Sequence, residues 1–141
     1  MIKGLLASLV LVSIFSCSPN ADSAKPGDHA NIQGTWLAET ESVNGISKQV
    51  DFQYTFNKDT LTFIDEKGMV VKYPYTLDTS SNPRYIVIKP LDAPADAAPV
   101  SVGYELNGNS LKIVVAPAGL RPTEISDKND QELIICKRKD F

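Results

Sequence analysis

From Ile32 onward, apolar and polar residues alternate with a period of two. Phe52, Tyr54 and Phe56 fall on one side of a strand, Gln53 and Thr55 on the other. Leu61 and Phe63 repeat the pattern, as do Val71, Tyr73, Tyr75 and Leu77, and then Val100, Val102, Tyr104 and Leu106. A period of two is the signature of a strand with one buried and one wet face. It predicts strands over 35–43, 52–56, 60–64, 70–77, 85–89, 100–106, 111–115 and 132–138. On the first strand it puts Ala38, Thr40 and Ser42 on the face of Trp36, small residues that leave room above the indole.

The punctuation fits these elements. "VNGI", "NKD" and "DEKG" are tight-turn sequences, and "YELNGNSLKI" reads as a hairpin around Asn107-Gly108. "DTSSNPR" and "KPLDAPADAAP" are longer loops, and the second, with Pro90, Pro94 and Pro99, is the candidate lip. Pro74 marks a bulge or an edge. No ten-residue helical pattern stands out, and "NIQG" leaves space for one short turn before the first strand. Eight antiparallel strands, each with one apolar face, form either a barrel closed on itself or a β-sandwich. The fold class is therefore all-β, with a small eight-stranded barrel and a β-sandwich both open on alternation alone.

The N-terminus has a different pattern. Lys3 precedes an apolar run from Leu5 to Phe15 that ends in "SIFSC". That run is short for a membrane span and matches a signal-peptide core. Ile14, Ser16 and Cys17 resemble a bacterial lipobox, with Phe15 as the departure from it. The expected organisation is a lipoprotein signal peptide at 1–16, a flexible tether at 17–30 with a lipidated Cys17, and a barrel domain at 31–141. The expected location is the cell envelope, with membrane contact through acyl chains on Cys17. Ser18 favours the outer membrane.

Charge and composition narrow the chemistry. The formal net charge is −3, and loss of Lys3 with the signal makes it more negative, so no nucleic-acid footprint is present. Lipidation of Cys17 would leave Cys136 without a disulfide partner, and "LIIC" places it as a small core residue. His29, the only histidine, falls in the tether and reads as a solvated linker residue. No catalytic constellation, metal site or cofactor motif emerges. "DKNDQE" lacks the glycine and the distant glutamate of a calcium loop and reads as a solvated turn. Arg121 and Glu124 read as an ion pair bracing the loop before the last strand.

The ordered segments "IQGTW", "VNG", "LTF", "YTLDTSSNPRYIVI", "GYELNGNSLKIVVAPAGLRPTEIS" and "LIICKRK" resemble an uncharacterised lipocalin-like domain family first noted in planctomycete proteins. The resemblance covers about residues 31–139 and implies an up-and-down barrel with no established activity. It also implies that Trp36 sits inside the closed end, under a basic residue of the last strand. Lys137, Arg138 and Lys139 are the candidates, and the planar guanidinium of Arg138 suits the stacking. Gly34 lets the backbone pass close to the floor. The expected function is non-enzymatic binding of a small apolar or amphipathic ligand at the mouth, with Tyr54, Tyr73, Tyr75 and Tyr104 as lining residues. The alternative is a filled barrel whose loops, 89–99 and 116–130, meet an envelope protein partner, as a hydrolase inhibitor would.

Overall fold

The computed structural model describes residues 27–140. The expected signal segment 1–16, the expected lipidation site Cys17 and the expected tether up to residue 26 lie outside the described residues. Strand β1 (Gly34–Val43) is followed by β2 (Ile46–Gln49), β3 (Gln53–Asn57), β4 (Thr60–Ile64), β5 (Val70–Asp78), β6 (Arg84–Ile88), β7 (Val100–Asn107), β8 (Ser110–Val115) and β9 (Glu132–Arg138). All neighbours pair antiparallel in the order β1-β3-β4-β5-β6-β7-β8-β9, and β9 returns to β1. The result is a closed eight-stranded up-and-down barrel, and the sandwich is excluded.

The ninth strand is β2, which the alternation pattern misses. It turns back on the far half of β1 through Asn44 (φ 48) and Gly45 (φ 82), a tight turn that needs left-handed backbone at both positions. The first half of β1 pairs with β3 and the second half with β2. Similarly, β5 pairs with β4 over 70–74 and with β6 over 75–78, so Pro74 stands where one partner hands over to the next.

A β-bulge lies between Ala38 and Thr40, where Glu39 is the extra residue opposite Cys136 and Ile135. The bulge reverses the face of everything after it. Glu41 pairs with Ile134 of the core, so Glu41 and Val43 share the interior with Trp36 and Ala38. The expected inward positions of Thr40 and Ser42 are thereby corrected: both face outward.

The two ends of the barrel differ. One is closed by a single helical turn, α1 (Asp28–Asn31), which precedes β1. This corrects two readings. Residues 28–30 are helix and not tether, and the turn lies earlier than "NIQG". His29 is solvent-exposed as expected, but it belongs to α1 and not to a linker: its ring stacks on Tyr75 at 6.2 Å and its Nε2 lies 3.3 Å from Asp59. The core above α1 contains Trp36, Phe56, Tyr104 and Leu111, each at most 1% exposed.

The opposite end carries the β1–β2 turn, the β4–β5 turn and the long loops 89–99 and 116–131. Loop 116–131 folds down over the outer wall. Pro122 is buried, Val114 beneath it is fully buried, and a Cβ on Gly103 would come within 3.3 Å of Ile125. The Tyr85 hydroxyl donates to the Pro122 carbonyl (2.6 Å). Arg121 stacks on Tyr85 (3.8 Å) and pairs with Asp78 (3.4 Å), which replaces the expected pairing with Glu124. "DKNDQE" is a clasp and not a solvated turn. Asp127 accepts from the Asn44 and Gly45 backbone, Asp130 accepts from the Asn44 side chain, and Gln131 is buried with hydrogen bonds to Ser126 and Thr123.

Candidate functional site

The closed end is built around the indole of Trp36, which is 0% exposed. Its Nε1–H donates to the Ile32 carbonyl at 2.8 Å. The guanidinium of Arg138 lies 4.2 Å above the ring, donating to the carbonyls of Gln33 (2.7 Å) and Asn31 (2.6 Å). Arg138 is thus the last-strand cation that meets Trp36. Its five fixed donors satisfy chain ends that would otherwise be unpaired, while its flat face covers the ring. Gly34 has φ +112 and carries the chain past this guanidinium; a Cβ there would sit 3.3 Å from Arg138 Nη1.

Two of the four tyrosines expected to line a cavity belong to this floor. Tyr104 donates its hydroxyl to Asp28 (2.6 Å), which also pairs with Arg84. Burial, reinforced by Asp28, holds the Tyr104 phenol well above its ordinary pKa. Tyr75 donates to the Lys58 carbonyl (2.8 Å) and packs edge-on against Phe56. Both face inward as the alternation requires. They sit too low in the barrel to reach open space, and the polar groups of the floor bind their hydroxyls.

Above the floor the barrel is not filled. A chamber of about 210 Å³ lies inside it. Leu61, Ile86, Val102 and Ile113, all buried, form its base, and the half-buried Tyr54, Phe63, Tyr73, Ile88 and Val115 form its walls toward the open end. Tyr54 and Tyr73 are therefore placed on the cavity. Tyr54 also joins Phe52 and Phe63 in a set of ring contacts with centroids 5.3 to 5.8 Å apart. A cavity of about 150 Å³ suffices to take up benzene, so this chamber suits a body of roughly eight to ten heavy atoms.

A second space, about 350 Å³, opens at the mouth along the inner face of the β1–β2 hairpin, lined by Glu41, Val43, Asn44, Ile46 and Lys48. Glu41 and Lys48 form an ion pair there at 3.3 Å. Glu132 faces the same interior. Burial raises its carboxyl above the usual range, and Glu41 adds to the shift while Lys48 opposes it. The period-two reading missed Glu41 because a bulge leaves no turn residue to announce it. Glu132 shares its strand face with Ile134 and Cys136 and was legible from that parity alone.

Cys136 is buried, and burial pushes its thiol up to about 12, which suits an inert wall residue. Two larger depressions, about 410 and 520 Å³, lie outside the barrel where the proline-bearing 89–99 loop meets its wall. They are surface grooves. The chamber within the barrel is the better candidate because its lining is almost wholly apolar and it opens toward the mouth, so a ligand's apolar body is buried among side chains of the barrel interior.

No family model and no curated protein sequence matches the chain, so the resemblance to the planctomycete-type domain rests on the quoted segments. Among solved structures, a lipocalin-like protein from Bacteroides uniformis ATCC 8492, determined at 1.79 Å, is similar with a TM-score of 0.48. Identity is 14%, over 77% of this chain and 99% of that one. The barrel assignment made here rests on the strand pairing itself.

Proposed function

We propose that this protein is a small-molecule-binding barrel that holds an apolar or amphipathic ligand in the chamber above the Trp36–Arg138 floor. The observation that carries the reading is the apolar chamber of about 210 Å³, walled by Tyr54 and Tyr73 and based on Val102 and Ile113. An open chamber lined almost wholly by apolar side chains holds water against apolar surface, and an apolar ligand gains by displacing it. The filled barrel of the alternative reading is at odds with this void. Loop 116–131, which that reading offers to a partner, is committed to the outer wall.

Calorimetric titration with benzyl alcohol tests the proposal. The wild type should bind it, and Val102→Phe, which fills the chamber from its base, should lose binding while keeping its thermal stability. Binding unchanged in Val102→Phe would place the site elsewhere.

We further propose that acyl chains on Cys17 anchor the barrel in the cell envelope. The lipobox-like sequence supports this, as does the entry of the chain at α1, the end remote from the mouth. Cys17→Ser should move the protein from the membrane to the soluble fraction of its host. Retention in the membrane would count against the anchor.

A further inference from the structure

A row that crosses from the exposed β2 at the mouth toward the chamber is Ile46–Val43–Glu132–Val115, four residues opposed in register on β2, β1, β9 and β8, with Ile46 solvent-exposed at its outer end. Val43 lines the mouth space and Val115 lines the chamber, so Glu132 stands on the boundary between them. Directly opposed residues share a face, which fixes the direction of the Glu132 carboxylate toward the interior. The row beneath it is Lys48–Glu41–Ile134–Ile113. Two carboxylates and one ammonium therefore face the passage. Lys48 pairs with Glu41 at 3.3 Å, and no cation lies within ion-pair distance of Glu132 among the described residues.

An unpaired carboxylate in an apolar row is costly to the fold, and α1 and the floor gain nothing from it. A second observation points from the same place to a ligand. The Tyr54 phenol reaches this region: burial raises its pKa, and Cys136, Glu132 and Glu41 add to the shift. Its hydroxyl has no hydrogen-bond partner among the described residues. No fully buried side-chain polar atom among them is left unpaired. The Tyr54 hydroxyl is therefore not sealed in packed protein, and the Tyr54 side chain lines the chamber. An acceptor carboxylate and a free phenol thus converge where the apolar chamber meets the mouth.

We propose that the passage selects amphipathic cations: the ammonium group of a small primary amine lies between Glu132 and Glu41, beside the Tyr54 hydroxyl, with its apolar body in the chamber. This rests on the reading of the chamber as a ligand site and adds the chemical class of the ligand. The remaining negative charge at the passage is the complement of one ammonium group, and a charge-assisted hydrogen bond in a partly dry site is among the stronger single contacts available.

Three ligands of nearly equal size separate the head group from the body: benzylamine, benzyl alcohol and benzoate, titrated calorimetrically into the wild type near pH 7. Benzylamine should bind at least about tenfold more tightly than benzyl alcohol, and benzoate more weakly than either. Glu132→Gln, which keeps size and polarity, should reduce the affinity ratio of benzylamine to benzyl alcohol to about one. A cooperative thermal melt of the variant shows that it is folded. Equal affinity of the wild type for amine and alcohol would overturn the head-group assignment and leave the chamber reading intact. A preference that survives Glu132→Gln would overturn the role of Glu132. Binding of none of the three would overturn the chamber reading and this proposal with it.

Discussion

Glu132 and Trp36 show how single residues divide stability from function in this barrel. Trp36 is fully enclosed, with its one donor satisfied and its face covered by Arg138, and every contact it makes strengthens the closed end. Glu132 does the opposite. Its folded pKa is raised, so the folded state holds the proton more tightly than the unfolded chain does. Stability is then highest with the carboxyl protonated and falls as pH rises from the ordinary glutamate range through the raised folded value. Glu41, Lys48 and Tyr54 face the same group and set the size of the effect. Glu132→Gln should therefore melt at a higher temperature than the wild type near pH 7, with the gap closing toward about pH 4. A variant less stable than the wild type near pH 7 would mean that the carboxylate has a stabilising partner. The floor was legible through the family resemblance, which implied a last-strand cation over Trp36; among Lys137, Arg138 and Lys139, the planar guanidinium of Arg138 suited that stacking. The fates of Tyr75 and Tyr104 were not. Parity tells which side of a strand a residue takes, but not how high in the barrel it sits.

At the scale of elements, all eight alternating runs become strands within one residue of their expected ends. These strands each have a wet face, and alternation reports that directly. The missed strand, β2, is four residues long and exposed throughout, so burial imposes no pattern on it. The bulge at Glu39 was invisible for a related reason. An inserted residue changes which half of a strand faces in, yet both halves alternate normally by themselves. Its consequence is large, because it turns the interior of the mouth from Thr40 and Ser42 to Glu41 and Val43. The loop at 116–130 was expected to be braced by an Arg121–Glu124 pair and, in the alternative reading, to meet a partner. Its contacts with Tyr85, Gly103 and Asn44 lie far apart in sequence, where no local signal marks them.

For the whole molecule, polarity runs along the barrel axis. One end is sealed by α1, Trp36 and Arg138. At the other, the exposed large apolar side chains Ile46, Met69, Val70, Leu91, Val100 and Leu120 belong to the turns, loops and strand ends that surround the mouth. An apolar rim, a charged passage and an apolar chamber follow one another from solvent inward, the order an amphipathic guest would meet on entering head last. Strand count and alternation made the all-β class legible but left barrel and sandwich open, and the family resemblance favoured the barrel; the chamber was not legible, since its volume depends on how eight strands space their side chains in three dimensions.

The central claim is that this interior is where a ligand binds. Methyl-resolved NMR during a titration with benzylamine tests it most directly. The account predicts saturable shifts at Ile86, Val102 and Ile113 inside the barrel, with outer-wall methyls such as Val87 and Leu120 unmoved. Shifts confined to the outer wall, or none at saturating benzylamine, would contradict it.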